Sequence, residues 1–141
     1  MATYTSGKDL AAKTRARAAA LRRELGNIVM AQARAGMATS RGITHGPQRA
    51  LNAPSPVAPI RPIGRRTGKL FSSWRVRRLA SGSANTRQAA LYNRATHHVY
   101  VLRPGGTRRM ADRGYWEAHR KASAPSRRAI AQKGQQRALR G

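Results

Sequence analysis

One stretch limits the folds open to this chain more than any other: residues 67–106, TGKLFSSWRVRRLASGSANTRQAALYNRATHHVYVLRPGG. Only there do aromatic and β-branched residues recur at strand spacing between turn-forming residues, so a core has to form around it. Thr67 and Gly68 make a turn or helix cap. Leu70, Phe71 and Trp74 then fall at i, i+1 and i+4, on one side of a short helix. From Trp74 the period becomes two. Trp74, Val76 and Arg78 point one way and Arg75, Arg77 and Leu79 the other, which predicts a half-buried strand with a charged outer face. Residues 81–85 are a polar turn, and 88–95 (QAALYNRA) predict a second strand, antiparallel because the connection is short. A short apolar element, Val99 to Leu102, is stopped by Pro104, Gly105 and Gly106, the glycines allowing positive φ.

The chain before this stretch predicts a long helix and then an arm. Thr5 or Ser6 caps the helix, with Asp9 placed like the acidic member of a capping box. Leu10, Thr14, Arg17 or Ala18, Leu21, Leu25, Ile28, Val29 and Gln32 recur at three- and four-residue steps and mark an apolar face, while Lys13, Arg15, Arg22, Arg23 and Arg34 fall largely elsewhere. Gly26 inside the helix costs about 1 kcal/mol relative to alanine, and Gly36 is expected to end it. Three uses fit such a helix: docking on the sheet, tracking phosphates, or lying on a membrane surface, the last weakened by the lack of Trp or Phe anchors. Residues 37–66 hold five of the seven prolines and read as an extended arm or linker. After Gly106 a polar basic loop leads to a closing helix. Tyr115, Trp116, His119 and Ala122 set one face of it, Pro125 is expected to break it, and 126–134 (SRRAIAQKG) to restart it. The expected organisation is therefore one α+β domain: helix 1–36, Pro-rich arm 37–66, core with a small antiparallel sheet and closing helix 67–134, and a flexible tail 135–141.

Charge sets the second constraint. Lys and Arg number 29 against 4 Asp and Glu, a formal charge of +25, and self-repulsion on that scale opposes compaction unless something negative answers it. Either nucleic acid or the acidic surface of a neighbour supplies the counter-charge. The core also looks lean: hydrophobic content is 40% but much of it is alanine, and aromatics are 5%. Both features describe a chain completed by partners. Zero cysteine removes disulfides and thiolate chemistry. No apolar run reaches membrane-spanning length, and MATYTSGKDL, with Asp9 and no apolar centre, does not look like a signal peptide.

Catalytic and cofactor chemistry is hard to assemble here. Asp9, Glu24, Asp112 and Glu117 include no paired carboxylates at useful spacing. His97 and His98, read as neighbours on a strand, would point to opposite faces and make poor joint metal ligands. Gly105-Gly106-Thr107 lacks the Gly-Lys-Ser/Thr run of a phosphate-cradling loop. No enzyme, cofactor or metal is expected. Trp74, Tyr92, Tyr100, Tyr115 and Trp116 interleave with arginine as in single-strand binders, but their spacing places them in a core or a subunit interface.

The order of these motifs resembles the tail-completion and head-tail joining proteins of long-tailed bacteriophages. Thr67, Gly68, Lys69, Leu70 and Ser73 match that family's Thr-Gly-Arg/Lys-Leu-x-x-Ser signature, and Tyr100, Gly106 and Thr107 match part of its Tyr-Ala-x-x-x-Glu-x-Gly-Thr signature. The sequence departs from the pattern at Val101, where the family has Ala, and at Arg103, which stands near its acidic residue. The resemblance spans residues 60–125. It implies a structural virion protein assembled in the host cytoplasm, a ring of copies in the neck around the DNA channel, touching portal, adaptor or tail-tube proteins with acidic surfaces. Arg75 and Arg77 on the outer strand face, and Arg108, Arg109 and Arg113 in the loop, are the expected contacts to DNA phosphates or to neighbours. The alternative is a free basic nucleic-acid-binding protein of ribosomal or nucleoid type.

Overall fold

A computed structural model of the chain describes residues 6–48, 50, 67–81, 83, 85–106 and 114–140. The architecture is mixed α+β, in the order α1 (Gly7–Thr44), α2 (Lys69–Ser72), β1 (Trp74–Leu79), β2 (Gln88–Asn93), α3 (His98–Val101) and α4 (Tyr115–Arg140). Most of the Pro-rich arm, residues 51–66, lies outside the described residues, as does the loop 107–113.

Ser6 caps α1 as its position predicts. Its hydroxyl accepts the Asp9 backbone N–H at 3.4 Å and donates to the Asp9 carboxylate at 2.9 Å. The helix does not stop at Gly36, so residues 37–44 belong to α1 and not to the arm. Gly36 is buried where two elements meet: a Cβ there would touch Leu91 Cδ2 at 3.4 Å and His119 Nε2 at 3.5 Å. Close packing on both sides offsets the roughly 1 kcal/mol that glycine costs a helix. Within the following turn Ser40 and Thr44 return their hydroxyls to the carbonyls of Gly36 and Ser40, at 2.9 and 2.7 Å.

β1 and β2 form a two-stranded antiparallel sheet in the register Trp74↔Asn93 through Leu79↔Gln88. β2 ends at Asn93, two residues short of the expected Ala95. Asn93 is buried and its amide is committed locally, donating to the Leu70 carbonyl at 2.7 Å and accepting the Ala95 N–H at 2.9 Å. That pair ties the strand end to α2. Gly68 caps α2 at φ 72°, a conformation open to glycine, and the Thr67 hydroxyl accepts the Lys69 N–H at 3.3 Å. His97 and His98 are not on a strand: His97 is the N-cap of α3 and His98 its first residue. Pro104-Gly105 then form the expected turn, with Gly105 and Gly106 at φ 75° and 73°.

Long helices α1 and α4 run antiparallel, paired in sequence by Ser40 with Tyr115, Gly36 with His119, Gln32 with Arg127 and Glu24 with Arg137. Pro125 does not break α4, and residues 135–140 are its last turns, not a loose tail. The reason is tertiary. On one side of the proline Tyr115, His119 and the buried Ser123 face α1; on the other the Arg127 carbonyl accepts Gln32 Nε2 at 3.0 Å and Arg137 binds the Glu24 carboxylate at 2.6 Å. One lost N–H bond is outweighed by contacts along the full length.

Among the described residues the buried apolar core consists of Leu70, Trp74, Ala95, Leu102 and Tyr115, with Met37, Ile43, Leu91 and Val101 packed against it. Tyr115 stacks on Trp74 at 5.4 Å and on His119 at 5.7 Å. Burying a side chain of this size stabilises by roughly 2–3 kcal/mol. Of the expected face of α4, Tyr115 and His119 turn inward. Trp116 is half exposed, with its indole N–H on the Leu102 carbonyl at 2.8 Å, and Ser123, not Ala122, is buried.

Candidate functional site

Three groupings of polar side chains have the density that a site requires. The first is internal. Trp74 Nε1 donates to Thr44 Oγ1 at 3.1 Å, and Ser40 Oγ shares a 2.8 Å hydrogen bond with the Tyr115 hydroxyl. His119 Nε2 meets the Gly36 carbonyl at 3.2 Å and therefore carries the ring proton. Ser, Tyr and His side by side look like a reactive set, yet the histidine is bonded to backbone and not to either hydroxyl. Burial pushes the Tyr115 phenol up to about 12, partly countered by the Ser40 hydrogen bond, so it stays protonated. Burial likewise lowers His119, with the Gly36 carbonyl opposing and the Arg127 charge adding to the effect. With Ser40 and Tyr115 almost wholly enclosed, this network fixes α4 on α1 and offers no access to a substrate.

The second grouping is a cleft where the hairpin crosses α1. Ala19, Arg22, Arg23, Gly26 and Asn27 share one face of the helix, and Arg78 and Arg87 reach over it from the loop end of the hairpin, around a cleft of about 440 Å³. Strand alternation places Arg78 on the Trp74 side of the sheet, as the sequence predicts, and Gly26 makes room for it. A Cβ on Gly26 would lie 3.7 Å from Arg78 Nη2 and 3.9 Å from Arg87 Cδ. Four guanidinium groups line the cleft and no carboxylate does. Glu24, close by in sequence, is engaged by Arg137 instead. Apart from these arginines the lining holds only Ala19, Gly26 and Asn27, so the groups it presents are donors of the kind that pair with anionic oxygens.

The third is a surface. The N-terminal part of α1 reaches beyond the Glu24–Arg137 contact, and none of residues 7–23 is buried. Their apolar face is open: Leu10 is 62% exposed, Leu21 40% and, at the junction, Leu25 43%. The same turns carry Lys8, Lys13, Arg15, Arg17, Arg22 and Arg23, with Asp9 the sole acid in residues 7–23.

The residues expected from sequence divide among these regions. Arg75 and Arg77 lie together on the outer face of the sheet, away from the cleft. Arg75 Nη1 donates to the Ser72 and Trp74 carbonyls, both at 2.8 Å, and the Arg77 guanidinium sits over the Tyr92 ring at 5.5 Å. Arg108, Arg109 and Arg113 lie outside the described residues, as does Thr107. Thr67, Gly68, Lys69, Leu70 and Ser73 form a local structural device: a turn, a left-handed cap, a core residue and a carbonyl, that of Ser73, accepting the Arg94 N–H at 3.0 Å. Tyr100 is exposed on α3, and Gly106 closes the following turn by donating to the Arg103 carbonyl at 3.1 Å. The cleft arginines escaped sequence reasoning because two come from a helix and two from a hairpin. Gly26 was the available signal, since a glycine kept inside an otherwise good helix marks a close approach.

Among the described residues no group of three or more His, Cys, Asp or Glu is placed to hold a metal ion, and no helix is long and apolar enough to cross a membrane. Burial and the neighbouring His98 and Lys69 charges lower the pKa of His97. No protein-family model, curated protein or solved structure matches the chain.

Proposed function

We propose that this chain is a structural virion protein of a tailed phage, a head-tail connector or tail-completion subunit whose copies form a ring in the neck around the DNA channel. The observation that carries the reading is the open apolar face at the start of α1, where residues 7–23 span about 25 Å of helix at 1.5 Å per residue and Leu10, Leu21 and Leu25 stand in solvent. A chain with so few buried large side chains gains by covering that face, and the occupant proposed is a second copy of the same chain. Basic residues around the face repel one another between copies, so assembly depends on counter-charge from DNA or from acidic neighbours such as portal, adaptor or tail-tube proteins. The Thr67 to Ser73 segment supports the reading through the motif it shares with that family, and no catalytic step belongs to it.

Sedimentation velocity of the purified protein, alone and with short duplex DNA, tests the proposal. Discrete oligomers are expected under at least one condition, and Leu10→Glu with Leu21→Glu abolishes them. A protein that stays monomeric in both, while binding short RNA tightly, belongs to the alternative class of free ribosomal or nucleoid-type binders. The arginine cleft is the feature that favours that second reading.

A further inference from the structure

We infer that the cleft formed by Arg22, Arg23, Arg78 and Arg87 is a binding site for the phosphodiester backbone of nucleic acid. The inference goes beyond the proposed function and does not rest on it, since such a cleft serves a ring subunit and a free binder alike.

The physical case begins with repulsion. Four guanidinium groups are brought to one concavity of about 440 Å³ by elements far apart in sequence, and no carboxylate lines it. Like charges gathered in this way oppose the packing of the hairpin on α1 unless an anion joins them. Of the two acids on α1, Asp9 is engaged at the helix cap and Glu24 by Arg137; Arg87 Nη1 also donates to the Thr86 carbonyl at 2.7 Å. Arginine's planar fork matches phosphate oxygens in pairs, and Asn27 adds an uncharged donor at the rim. The lining also favours an extended anion over a small metabolite. It has no aromatic or large apolar wall to hold a base or an acyl chain, and the cleft face continues along the helix to Arg15, two turns before Arg22. A chain of phosphates can enter the cleft and run along that ridge, and contacts of this kind read no sequence.

Fluorescence anisotropy with a labelled short DNA duplex and a labelled single-stranded RNA, across a salt series, measures the site in the full chain. Arg22→Glu with Arg23→Glu removes two cleft cations at exposed helix positions. Lys121→Glu with Arg128→Glu makes the same charge change on the exposed side of α4. The cleft pair is expected to weaken binding at least tenfold more than the control pair and to lower the slope of log K against log salt by about 2. Gly26→Phe supplies a charge-neutral arm: it fills the cleft while leaving all 29 cations in place, and it too should weaken binding. Circular dichroism checks that each variant keeps its helices. The duplex and RNA arms tell which nucleic acid is preferred. Equal losses in cleft and control pairs, unaltered binding by Gly26→Phe, or no binding of either probe by the parent protein overturns the inference. So does preference of the cleft for an acidic protein over both probes. Sedimentation of the parent protein separates the two proposals: a parent that never forms oligomers, yet loses binding in the cleft variants, counts only against the ring, and a parent that forms them, with binding unaltered in the cleft variants, counts only against the cleft.

Discussion

Residues 7–23 and 26–44 belong to one unbroken helix and carry the same three- and four-residue apolar spacing, yet their circumstances are opposite. In the second part Gly26, Gly36, Ser40 and Thr44 are buried; in the first nothing is. The side chains reverse the usual expectation as well. Glycine and small hydroxyl residues occupy the covered length, and leucines occupy the bare one. Covered positions are small because other backbones and rings pass close to α1 there, the hairpin at Gly26, β2 and His119 at Gly36, and the Tyr115 hydroxyl at Ser40. Periodicity therefore reports where a helix would bury a face. Among the described residues α4 covers that face as far as the Glu24–Arg137 pair.

If the contrast is real, disturbing the covered length should cost stability and disturbing the bare length should not. Tyr115→Ala is the most severe test. It removes the ring stacked between Trp74 and His119 and the partner of Ser40, and should lower unfolding free energy by about 3–5 kcal/mol in urea titration. Gly134→Val comes next, because the Ile28 side chain occupies the space a Cβ on residue 134 would take. Overpacking of this kind should cost about 2 kcal/mol, seen as a lower melting temperature with helix content retained.

A smaller effect follows from pH. His119 is held below its ordinary value of 6.5, chiefly by burial, so the unfolded chain binds the proton more readily than the folded one. The stability this group contributes is fully present above 6.5 and is lost as pH falls through the lowered folded value. His119→Gln, which keeps an N–H for the Gly36 carbonyl, should flatten this acid limb in urea titrations between neutral and mildly acid pH. His97, shifted the same way, leaves part of the slope in place. Least of all, the Leu10→Glu, Leu21→Glu protein should unfold within about 0.5 kcal/mol of the parent when both are monomeric. A larger loss would mean that the first turns of α1 are covered after all.

Local chemistry made much of the fold legible. The Ser6 and Asp9 pair announces the start of α1, Thr67 and Gly68 the cap of α2, and strand alternation puts Trp74 and Arg78 on one face and Arg75 and Arg77 on the other. Misreadings cluster at Gly36, Pro125 and the final turns, where intrinsic preference says stop and a neighbouring element says continue. Those decisions rest on α1 packing against α4, and no window along the chain contains both helices. The cleft was hidden for the same reason: Arg22 and Arg78 are 56 positions apart, from the difference of their numbers, and meet only because the hairpin crosses α1 at Gly26.

Continuity gives α1 the mechanics of a lever. Its fulcrum lies near Glu24 and Ile28, where Arg137 and Gly134 seat the end of α4, and the free arm reaches about 25 Å beyond. Tilting the seated end by about 10° would swing the far tip by about 4 Å at that length, enough to misplace Leu10 against anything shaped to receive it. A substitution at the fulcrum can thus leave an intact monomer that no longer fits its neighbours.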